Sequence, residues 1–523
     1  MTASHIIYCK KLRTLSYTTF PLRRICTDEH LLFYFRHYLG VLGRELSRRS
    51  KVTSFQGGKL IVDTTLVTQA PAQAGDATPV KAGATSHFYA WYCLFILLGI
   101  YVNSFLDRSI LGLLVGPIKS TVGLTDSQMG FLMGPAFAVF YTIAGLPLGW
   151  LADRMSRLTL IAVGQLFWTL STVSFGLGGT WVHLAIARCC VGVGEASLTP
   201  SAYSLISDLF DPRRIGRALS IYGMGIYVGS GLASLIGGLL TKGYKLDQVY
   251  NLPIIGEHLG WQLVFFIVAI PTVPLTLLLL TLREPARKGR IATTGKVPVS
   301  LFFNYAKTHK GTLLCHTFGF ACLALSGYGT SAWIPEFFIR THGWTPARVG
   351  TSLGLATMIL GPIGIITGGW LGDFLLQKGY LDSKMRVSLF AAILWLPFGI
   401  LCPLMPTGES SFYMLLPAIF LSSIHWGIAP AALQEFMPNQ MRGQVSALYL
   451  FVINLIGLGL GPMVLALVTD KIFKSDQQIH YSLLLTTGTA TVLAIIALSL
   501  GLPRLRKSRA MYEEWLQRSG SKA

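Results

Sequence analysis

Four charged residues stand in two long apolar stretches of this sequence, where charges are costly. Asp107 and Arg108 lie in YVNSFLDRSILG, and Arg188 and Glu195 lie in ARCCVGVGEASLTPSAYSLISDLF. Because Arg188 and Glu195 are separated by nearly two helical turns, both side chains leave one face of a helix. Two acids and two arginines can form neutral pairs, and an acid whose proton occupancy changes with conformation can act as a proton relay. A static salt bridge between two helices is the simpler interpretation.

The elements that carry these residues are predicted to span a membrane. Of the 523 residues, 52% are hydrophobic and 13% are charged, whereas soluble domains carry about 25% charged residues. Apolar runs of about 20 residues, the length that crosses the hydrocarbon core, recur along the chain, so the sequence predicts an all-α membrane protein. The twelve predicted spans cover approximately residues 90–114, 128–150, 158–178, 182–206, 216–240, 261–281, 311–334, 348–372, 386–405, 411–433, 443–468 and 481–502.

The basic residues indicate membrane topology. The net charge of +20 resides mainly in short loops and in the two tails, which favours a bilayer over nucleic acid as the partner. Loops that follow even-numbered spans are richer in Lys and Arg than loops that follow odd-numbered spans, so the even loops and both termini are predicted to be cytoplasmic. A multi-pass protein of a bacterial-type inner membrane fits these plain loops. The eight cysteines have no metal-ligand spacing, so no metal site is expected.

An internal repeat divides the spans into two halves. Residues 124–153 align with residues 344–373, and both segments follow the same type of loop, so the halves are parallel copies. Glycines four residues apart at the start of both segments predict close helix approach. The aligned residues are Thr125, Gly130, Gly134, Gly149, Trp150, Leu151 and Asp153 with Thr345, Gly350, Gly354, Gly369, Trp370, Leu371 and Asp373.

The repeat gives the predicted domain organisation, which is two pseudo-symmetric halves of six helices each. Residues 1–87 are basic and have the composition of a disordered tail. The first half covers 88–282, a cytoplasmic linker covers 283–310, the second half covers 311–503, and residues 504–523 form a cytoplasmic tail.

The two halves differ where the charges lie. The positions in the second half that match the four charged residues fall near 327–331 and 413–423, and neither segment carries a charge. The asymmetry favours a role that only the first half performs. In the second half, ordinary packing is the simpler interpretation of the polar and aromatic residues, but five of them are candidates for a substrate cavity: Tyr328, Trp333, Glu336, His425 and Trp426.

The segment GWLADRMSRLTL, residues 149–160, carries an acid at a helix end before a short basic loop. Asp153 could accept hydrogen bonds from the exposed amide groups at the start of the eleventh span, near Gly443, where the helix dipole favours an anion. Such a contact would latch the two halves together. In the second copy of the segment, Phe374 follows Asp373 where an arginine follows Asp153, so a weaker latch is expected there.

These motifs resemble the major facilitator superfamily over about residues 90–503. GVGEASLTPSAYSLISDLF, GRALSIYGMGIYVGSGLAS and the LDR of the first span are similar to its Spinster-like branch. The resemblance implies that the two halves rock around a central cavity, and that Asp107, Arg108, Arg188 and Glu195 are protonation and switching residues. It also implies a cytoplasmic gate at Asp153, Arg154, Arg157 and, in the second copy, Asp373. Eukaryotic Spinster relatives move sphingosine-1-phosphate or lysophospholipids.

The sequence therefore predicts a monomeric secondary transporter that couples protons to the movement of a lysolipid, a sphingoid or another amphiphilic solute. No nucleotide-binding loop or nucleophile triad is evident, so neither an enzyme nor a cofactor is expected. Two alternatives remain open. Because LDRS also occurs among organic-anion and sugar-acid symporters, Arg108 and Arg188 could instead hold a carboxylate. A non-transporting membrane scaffold or receptor is the alternative from another class.

Overall fold

The computed structural model describes residues 87–211, 214–252, 256–287, 299–438 and 441–520. Nearly all of the predicted N-terminal tail and residues 288–298 of the predicted linker lie outside this range. Within it, the chain is a bundle of long helices, with one antiparallel hairpin of strands β1 (Val249–Leu252) and β2 (Gly256–Leu259).

Eleven helices of the described chain are long and apolar enough to cross a membrane. The helix at the predicted seventh span, α7 (Lys310–His342), is 33 residues long but falls outside that set because small and polar residues interrupt its apolar run. The other helices are α1 (His87–Leu113), α2 (Asp126–Ala152), α3 (Arg157–Gly176), α4 (Trp181–Leu209), α5 (Ile215–Gly243), α6 (Gly260–Leu280), α8 (Pro346–Gln377), α9 (Ser383–Leu404), α10 (Gly408–Gln434), α11 (Arg442–Phe473) and α12 (Asp476–Glu514).

Thr125 and Thr345, which align in the predicted repeat, each cap the start of a helix. Thr125 and Gln128 form a capping box at the start of α2, in which the Thr125 side chain accepts from the Gln128 backbone N–H and the Gln128 side chain accepts from the Thr125 N–H. The Thr345 side chain caps α8 with one bond of this kind, accepted from the Arg348 backbone N–H, and Pro346 occupies the first helical position. These caps satisfy backbone donors that a helix start leaves free.

Several of the long helices are interrupted near their middles. The regular part of α4 stops at Glu195 and resumes at Leu198. Helix α6 is broken next to Pro271, as expected where a proline removes an amide donor. Helix α11 contains a π-helical stretch, Ile453–Leu460, a feature that is common at functional sites.

The two halves meet along a seam of glycines, as the four-residue spacing predicts. A Cβ added to Gly130 would lie 2.6 Å from the Ala466 Cβ of α11, and one added to Gly134 would collide with the Gly459 carbonyl. In the second copy, Gly350 and Gly354 pack in the same way against α5. This glycine seam lies toward the end of the bundle that carries the loops after odd-numbered helices, here called the odd-loop end.

The same helices separate toward the opposite end, here called the even-loop end. A Cβ added to Gly145 on α2, Gly223 on α5 or Gly369 on α8 would meet nothing within 4 Å. Pairs of helices that touch through their backbones at the odd-loop end thus leave open space farther along. The structure is therefore closed at the odd-loop end and open at the even-loop end.

Two segments outside the membrane helices bear on the predicted domains. The described part of the predicted linker includes the helix Val299–Thr308. The last helix continues from Ile479 to Gly520 without interruption, through most of the residues that the sequence assigns to a tail.

Candidate functional site

Glu195 and Arg108 form an ion pair between α4 and α1. The Arg108 Nε lies 2.5 Å from the Glu195 Oε2, and the Ser104 hydroxyl donates to the same oxygen at 2.8 Å. The other carboxylate oxygen, Oε1, is buried and has no partner among the described residues. One oxygen of Glu195 is therefore fully used and the other remains available for a proton.

Asp107 accepts from a hydroxyl and makes no direct pair with an arginine in the described structure. The Thr172 side chain on α3 donates to its Oδ2, while its Oδ1 is buried without a partner. Glu195, Arg188 and Arg108 still act on Asp107 electrostatically. The expected neutral pairing is thus realised for one acid, while the second acid uses a neutral donor.

Arg188 is buried but sparsely bound. Its Nε donates to the Leu132 carbonyl oxygen at 3.4 Å, and its guanidinium carbon lies 5.5 Å from the centre of the Phe137 ring. The Arg108 guanidinium lies over the same ring at 4.6 Å. The helical spacing predicted that Arg188 and Glu195 share one face of α4, and both residues do lie in this one cluster.

A central cavity adjoins the cluster between the two halves. On the first-half side its wall carries both guanidiniums and two phenylalanines, and on the opposite side it carries aromatic rings and hydroxyls. Tyr328 and Trp426 meet edge to face, with ring centres 5.2 Å apart. The cavity is thus cationic on one side and aromatic on the other. Its wall includes Phe105, Arg108, Phe137, Arg188, Tyr328, Ser331, Thr357, Trp395, Ser422 and Trp426.

Three of the five predicted cavity candidates do not lie on this wall. Trp333 is fully buried and donates to the Pro462 carbonyl oxygen, so it packs α7 against α11. His425 is buried and does not line the cavity, but it lies against the rings of the wall residues Trp395 and Trp426. Glu336 belongs to a separate network. The position of a residue along a helix does not reveal which side of that helix faces the cavity. For this reason the sequence could not separate these three residues from the two that line the wall.

That network closes the odd-loop end and was not predicted. Asp126 at the start of α2 accepts from Arg340 of α7 at 2.7 and 3.0 Å and from Lys119 at 2.9 Å. Arg340 also pairs with Glu336 at 2.7 Å, and Lys119 also pairs with Asp476 at the start of α12. We call these five residues the odd-loop gate, because they join the first half to the second.

Backbone amides of the first half extend the same contacts. The Gly116 N–H donates to Glu336 at 2.9 Å, and the Ser127 N–H donates to Asp470 at 2.6 Å. The one signal in the sequence was the spacing of Glu336 and Arg340, which places an acid and a base one turn apart on α7. Their partners across the halves left no local pattern.

The predicted cytoplasmic gate residues lie at the even-loop end. Arg154 stacks on the Trp150 ring at 3.6 Å, and Asp153 and Asp373 are exposed. Space is open beside Gly443, the expected partner region of Asp153, so a latch there remains a prediction for a conformation closed at this end.

Arg157 has a buried network of its own. It pairs with Asp208 at the end of α4 and, at 2.6 Å, with Glu284 beyond the end of α6. Burial alone would raise the pKa of Glu284, but hydrogen bonds from Arg157 and from the Leu158 N–H outweigh it and hold that pKa below its usual value. Arg287 donates to the last carbonyls of α2, including that of Ala152 at 2.8 Å. The start of the linker is therefore fastened to the loop between α2 and α3.

Comparisons with known proteins agree with this architecture. Residues 97–462 match the profile of the Major Facilitator Superfamily. An MFS-type efflux pump of Mycolicibacterium smegmatis is 27% identical over 80% of this chain and 94% of its own length. The sphingosine-1-phosphate transporter SPNS2 of Danio rerio is 23% identical over 76% of this chain and 80% of its own length.

A solved structure is similar over nearly its full length. It is a bacterial homologue of the human lysosomal transporter Spinster in an inward-facing and occupied conformation, with a TM-score of 0.65, 25% identity, and coverage of 80% of this chain and 97% of that chain. The profile match extends over more than half of the chain, across both halves of the bundle. The chain therefore belongs to the major facilitator superfamily, as a multi-pass membrane transporter of small solutes and not an enzyme, with Spinster proteins among its relatives.

Proposed function

We propose that this protein is a proton-coupled secondary transporter that carries an amphiphile with an anionic headgroup, of the lysolipid or phosphorylated sphingoid type, by alternating access. The observation that carries the proposal is the Arg108–Glu195 ion pair at the edge of the central cavity. An acid that holds a cavity arginine in its ionised form releases that arginine when it takes up a proton.

The coupling step follows from this pair. Hydrogen bonds between ionised groups are roughly twice as strong as neutral ones, so protonation of Glu195 weakens its hold on Arg108. The Arg108 guanidinium already lies 4.6 Å from the Phe105 and Phe137 rings at the cavity wall, so it needs only a small movement to reach a solute. The proton drives transport only insofar as it stabilises one conformation more than the other.

The headgroup site is assigned to Arg188, with Arg108 joining it after release. Arg188 is buried and, among the described residues, has one weak hydrogen-bond partner, the Leu132 carbonyl oxygen, so an anionic group would compensate its charge. Tyr328, Trp395 and Trp426 on the opposite wall would contact the apolar part of the solute. Sphingosine-1-phosphate, which the Danio rerio relative is named for transporting, combines these two chemistries.

The orientation belongs to the same proposal. The excess of basic residues in the even loops favours a cytoplasmic even-loop end, which makes the present conformation inward-facing. Bacterial relatives favour a bacterial inner membrane, and a single bundle with one central cavity favours a functional monomer.

Transport into proteoliposomes tests the coupling. We expect an imposed pH gradient to drive uptake by the wild type, and we expect Glu195→Gln and Asp107→Asn to lose at least tenfold of that stimulation. Glu257→Gln and Asp247→Asn change exposed acids at the odd-loop end and are the matched controls. Variants at positions 195 and 107 that respond to the gradient as the wild type does would refute the coupling.

Ligand-induced stabilisation tests the solute class. A panel of lysophospholipids, sphingosine-1-phosphate, sphingosine and hexuronates is added to the purified protein, and the melting temperature is recorded. We expect the phosphorylated amphiphiles to raise it, and Arg188→Gln to abolish that shift. Stabilisation by hexuronates alone would favour the sugar-acid symporter, and a well-folded protein with no solute flux would favour the scaffold.

A further inference from the structure

A strip of buried polar groups runs behind Asp107, on the side away from the solute cavity. Asn103 on α1 donates to the Thr272 hydroxyl of α6 at 3.1 Å, and Thr169 on α3 donates to the same hydroxyl at 3.0 Å. Gln165 on α3 donates to the Thr272 carbonyl oxygen at 3.5 Å. We call Asn103, Asp107, Gln165, Thr169, Thr172 and Thr272 the polar strip.

The break in α6 makes this junction possible. Pro271 precedes Thr272 and interrupts the helix, and the Thr272 carbonyl oxygen accepts from both Gln165 and Thr276. Three helices, α1, α3 and α6, therefore present polar groups to one point in the interior of the first half. A purely structural junction would be expected to satisfy all of its own hydrogen bonds.

Within the part of the chain that the structure describes, this junction leaves three acceptor atoms without protein partners. They are the Asn103 Oδ1, the Gln165 Oε1 and the Asp107 Oδ1, on side chains that are at most 4% exposed. Exchanging the oxygen and nitrogen of either amide would leave its NH₂ group without a partner instead. The unmet need for hydrogen bonds is therefore a property of the site, whichever way the amides point.

Water is the ligand that this arrangement requires. A buried water makes about three hydrogen bonds to polar groups that otherwise lack partners, and it can donate two of them to oxygens. Asn103 and Asp107 are one helical turn apart on α1, which places their side chains side by side. Thr172 donates to the other oxygen of Asp107, so the free oxygen, Oδ1, is the one left for water.

We infer that ordered water occupies the polar strip and is the partner through which Asp107 exchanges its proton, by a route separate from the solute cavity. The strip extends from Asp107 toward the even-loop end, because Asn103 and Gln165 precede Asp107 and Thr172 in helices that start at that end. The charged groups that act on Asp107 are Arg108 from α1 and Arg188 and Glu195 from α4. Both arginines line the solute cavity, and Glu195 is paired with Arg108. This inference rests on the proposed proton coupling.

Separate routes for the proton and the solute would allow the proton to move while the solute is bound. A solute in the central cavity covers Arg108 and Arg188, and it would block any proton path through that cavity. A hydrated strip behind Asp107 lets the proton arrive or leave while the solute is bound. Coupling then does not depend on the order in which proton and solute bind.

Two transport assays on the same variants test this inference. Asn103→Leu and Gln165→Met keep the side-chain size and remove the acceptors. The control is Thr367→Val, at a half-buried position of α8 where the hydroxyl donates to the Ile363 carbonyl of its own helix. We expect uptake driven by a pH gradient to fall at least tenfold in both variants. Solute exchange at equal pH, which needs no net proton movement, should stay within about twofold of wild type. Both results are expected if the variants block the access of protons to Asp107 and leave solute binding intact.

The other possible outcomes overturn either this inference or the proposed proton coupling. If gradient-driven uptake is unchanged in both variants, or if uptake and exchange fall together, the proton route is overturned. If a sodium gradient drives uptake in place of protons and Gln165→Met abolishes it, the strip binds a cation and the inference is also overturned. A wild type that ignores the pH gradient refutes the proposed coupling instead. An experimental map that resolves water elsewhere in the bundle but not at these three oxygens would contradict the inference independently of activity.

Discussion

At the scale of single residues, the burial of charge separates contacts that matter for stability from those that do not. Arg157 is fully buried and has two carboxylate partners, Asp208 and Glu284. The Arg348–Glu409 pair at the odd-loop end is about half exposed on both sides. Removing one member of a buried pair leaves a charge without compensation, whereas exposed pairs contribute little.

We therefore expect Arg157→Met to be strongly destabilising. The loss should be about 3–5 kcal/mol, the usual cost of breaking a buried pair, and it is measured by thermal or denaturant unfolding in detergent. Arg348→Met is the matched control and should cost far less, because its ion pair with Glu409 is exposed and screened by solvent. Equal losses in the two variants would contradict the expectation that the buried pairs matter more than the exposed pair.

Glu284 gives a pH dependence with a definite sign. Because its pKa is lowered in the folded protein, its contribution to stability is fully present above the ordinary glutamate pKa of about 4.3. That contribution is lost as the pH falls through the lowered pKa. We expect the start of the linker to detach from α3 only in acid, as limited proteolysis after residue 284 would report, and Glu284→Gln to be cleaved equally at pH 7 and in acid. Detachment of the wild-type linker at pH 6 would contradict this.

At the scale of elements, backbone contact decides how the helices pair. The helices α2 and α11, and likewise α5 and α8, touch through glycines at the odd-loop end and leave open space beyond. Small residues allow such close approach in lipid, where no hydrophobic force holds helices together. Gly350 and Gly369 lie on one helix, yet the first is enclosed by the backbone of α5 and the second is free.

This contrast predicts opposite effects of one methyl group. Gly350→Ala should push α8 away from α5 and cost about 1–3 kcal/mol, as overpacking does, so its melting temperature should fall by several degrees. Gly369→Ala should leave the melting temperature unchanged or raise it slightly, since alanine favours the helix. A loss at Gly369 as large as that at Gly350 would argue against the glycine seam.

At the scale of the whole molecule, the odd-loop gate holds one end of the bundle closed. Arg340 is its central cation, because it binds Asp126 from the first half and Glu336 from its own helix. A conformation open at this end must separate Arg340 from Asp126. The gate therefore contributes to the free-energy difference between the two conformations.

We expect Arg340→Met to favour the conformation that is open at the odd-loop end. Spin labels at the exposed residues Ser120 and Lys474 report the separation of the two halves there, and their distance distribution should gain a longer component in the variant. Arg348→Met, which removes a cation at the same end, should leave the distribution unchanged. An unaltered distribution in Arg340→Met would mean that the glycine seam alone holds this end closed.

The sequence revealed the fold and part of the site because those features have local patterns. Apolar runs marked the helices, the repeat of Thr125 and Thr345 revealed the two halves, and the spacing of Arg188 and Glu195 placed both on one face. Contacts between distant segments have no such pattern. Thr172 and the odd-loop partners of Asp126 are ordinary residues until the bundle brings them together.

The same limit explains the errors among the cavity candidates. Trp333 and Trp426 are both tryptophans in apolar spans, yet one packs between helices and the other lines the cavity. The orientation of each helix about its own axis depends on packing against its neighbours. In a helix with apolar residues on every side, such as α7, no polar stripe reveals that orientation.

The glycine seam has a consequence for how easily the transporter changes conformation. Where Gly134 meets Gly459 and Gly238 meets Gly350, the touching surfaces are mostly peptide groups that already make their own helical hydrogen bonds. Separating them exposes little of the apolar area whose hydration dominates the cost of opening a protein interior. The seam itself therefore adds little to that cost in either direction, which leaves the ion pairs of the odd-loop gate as the contacts whose gain or loss determines which side of the membrane the carrier faces.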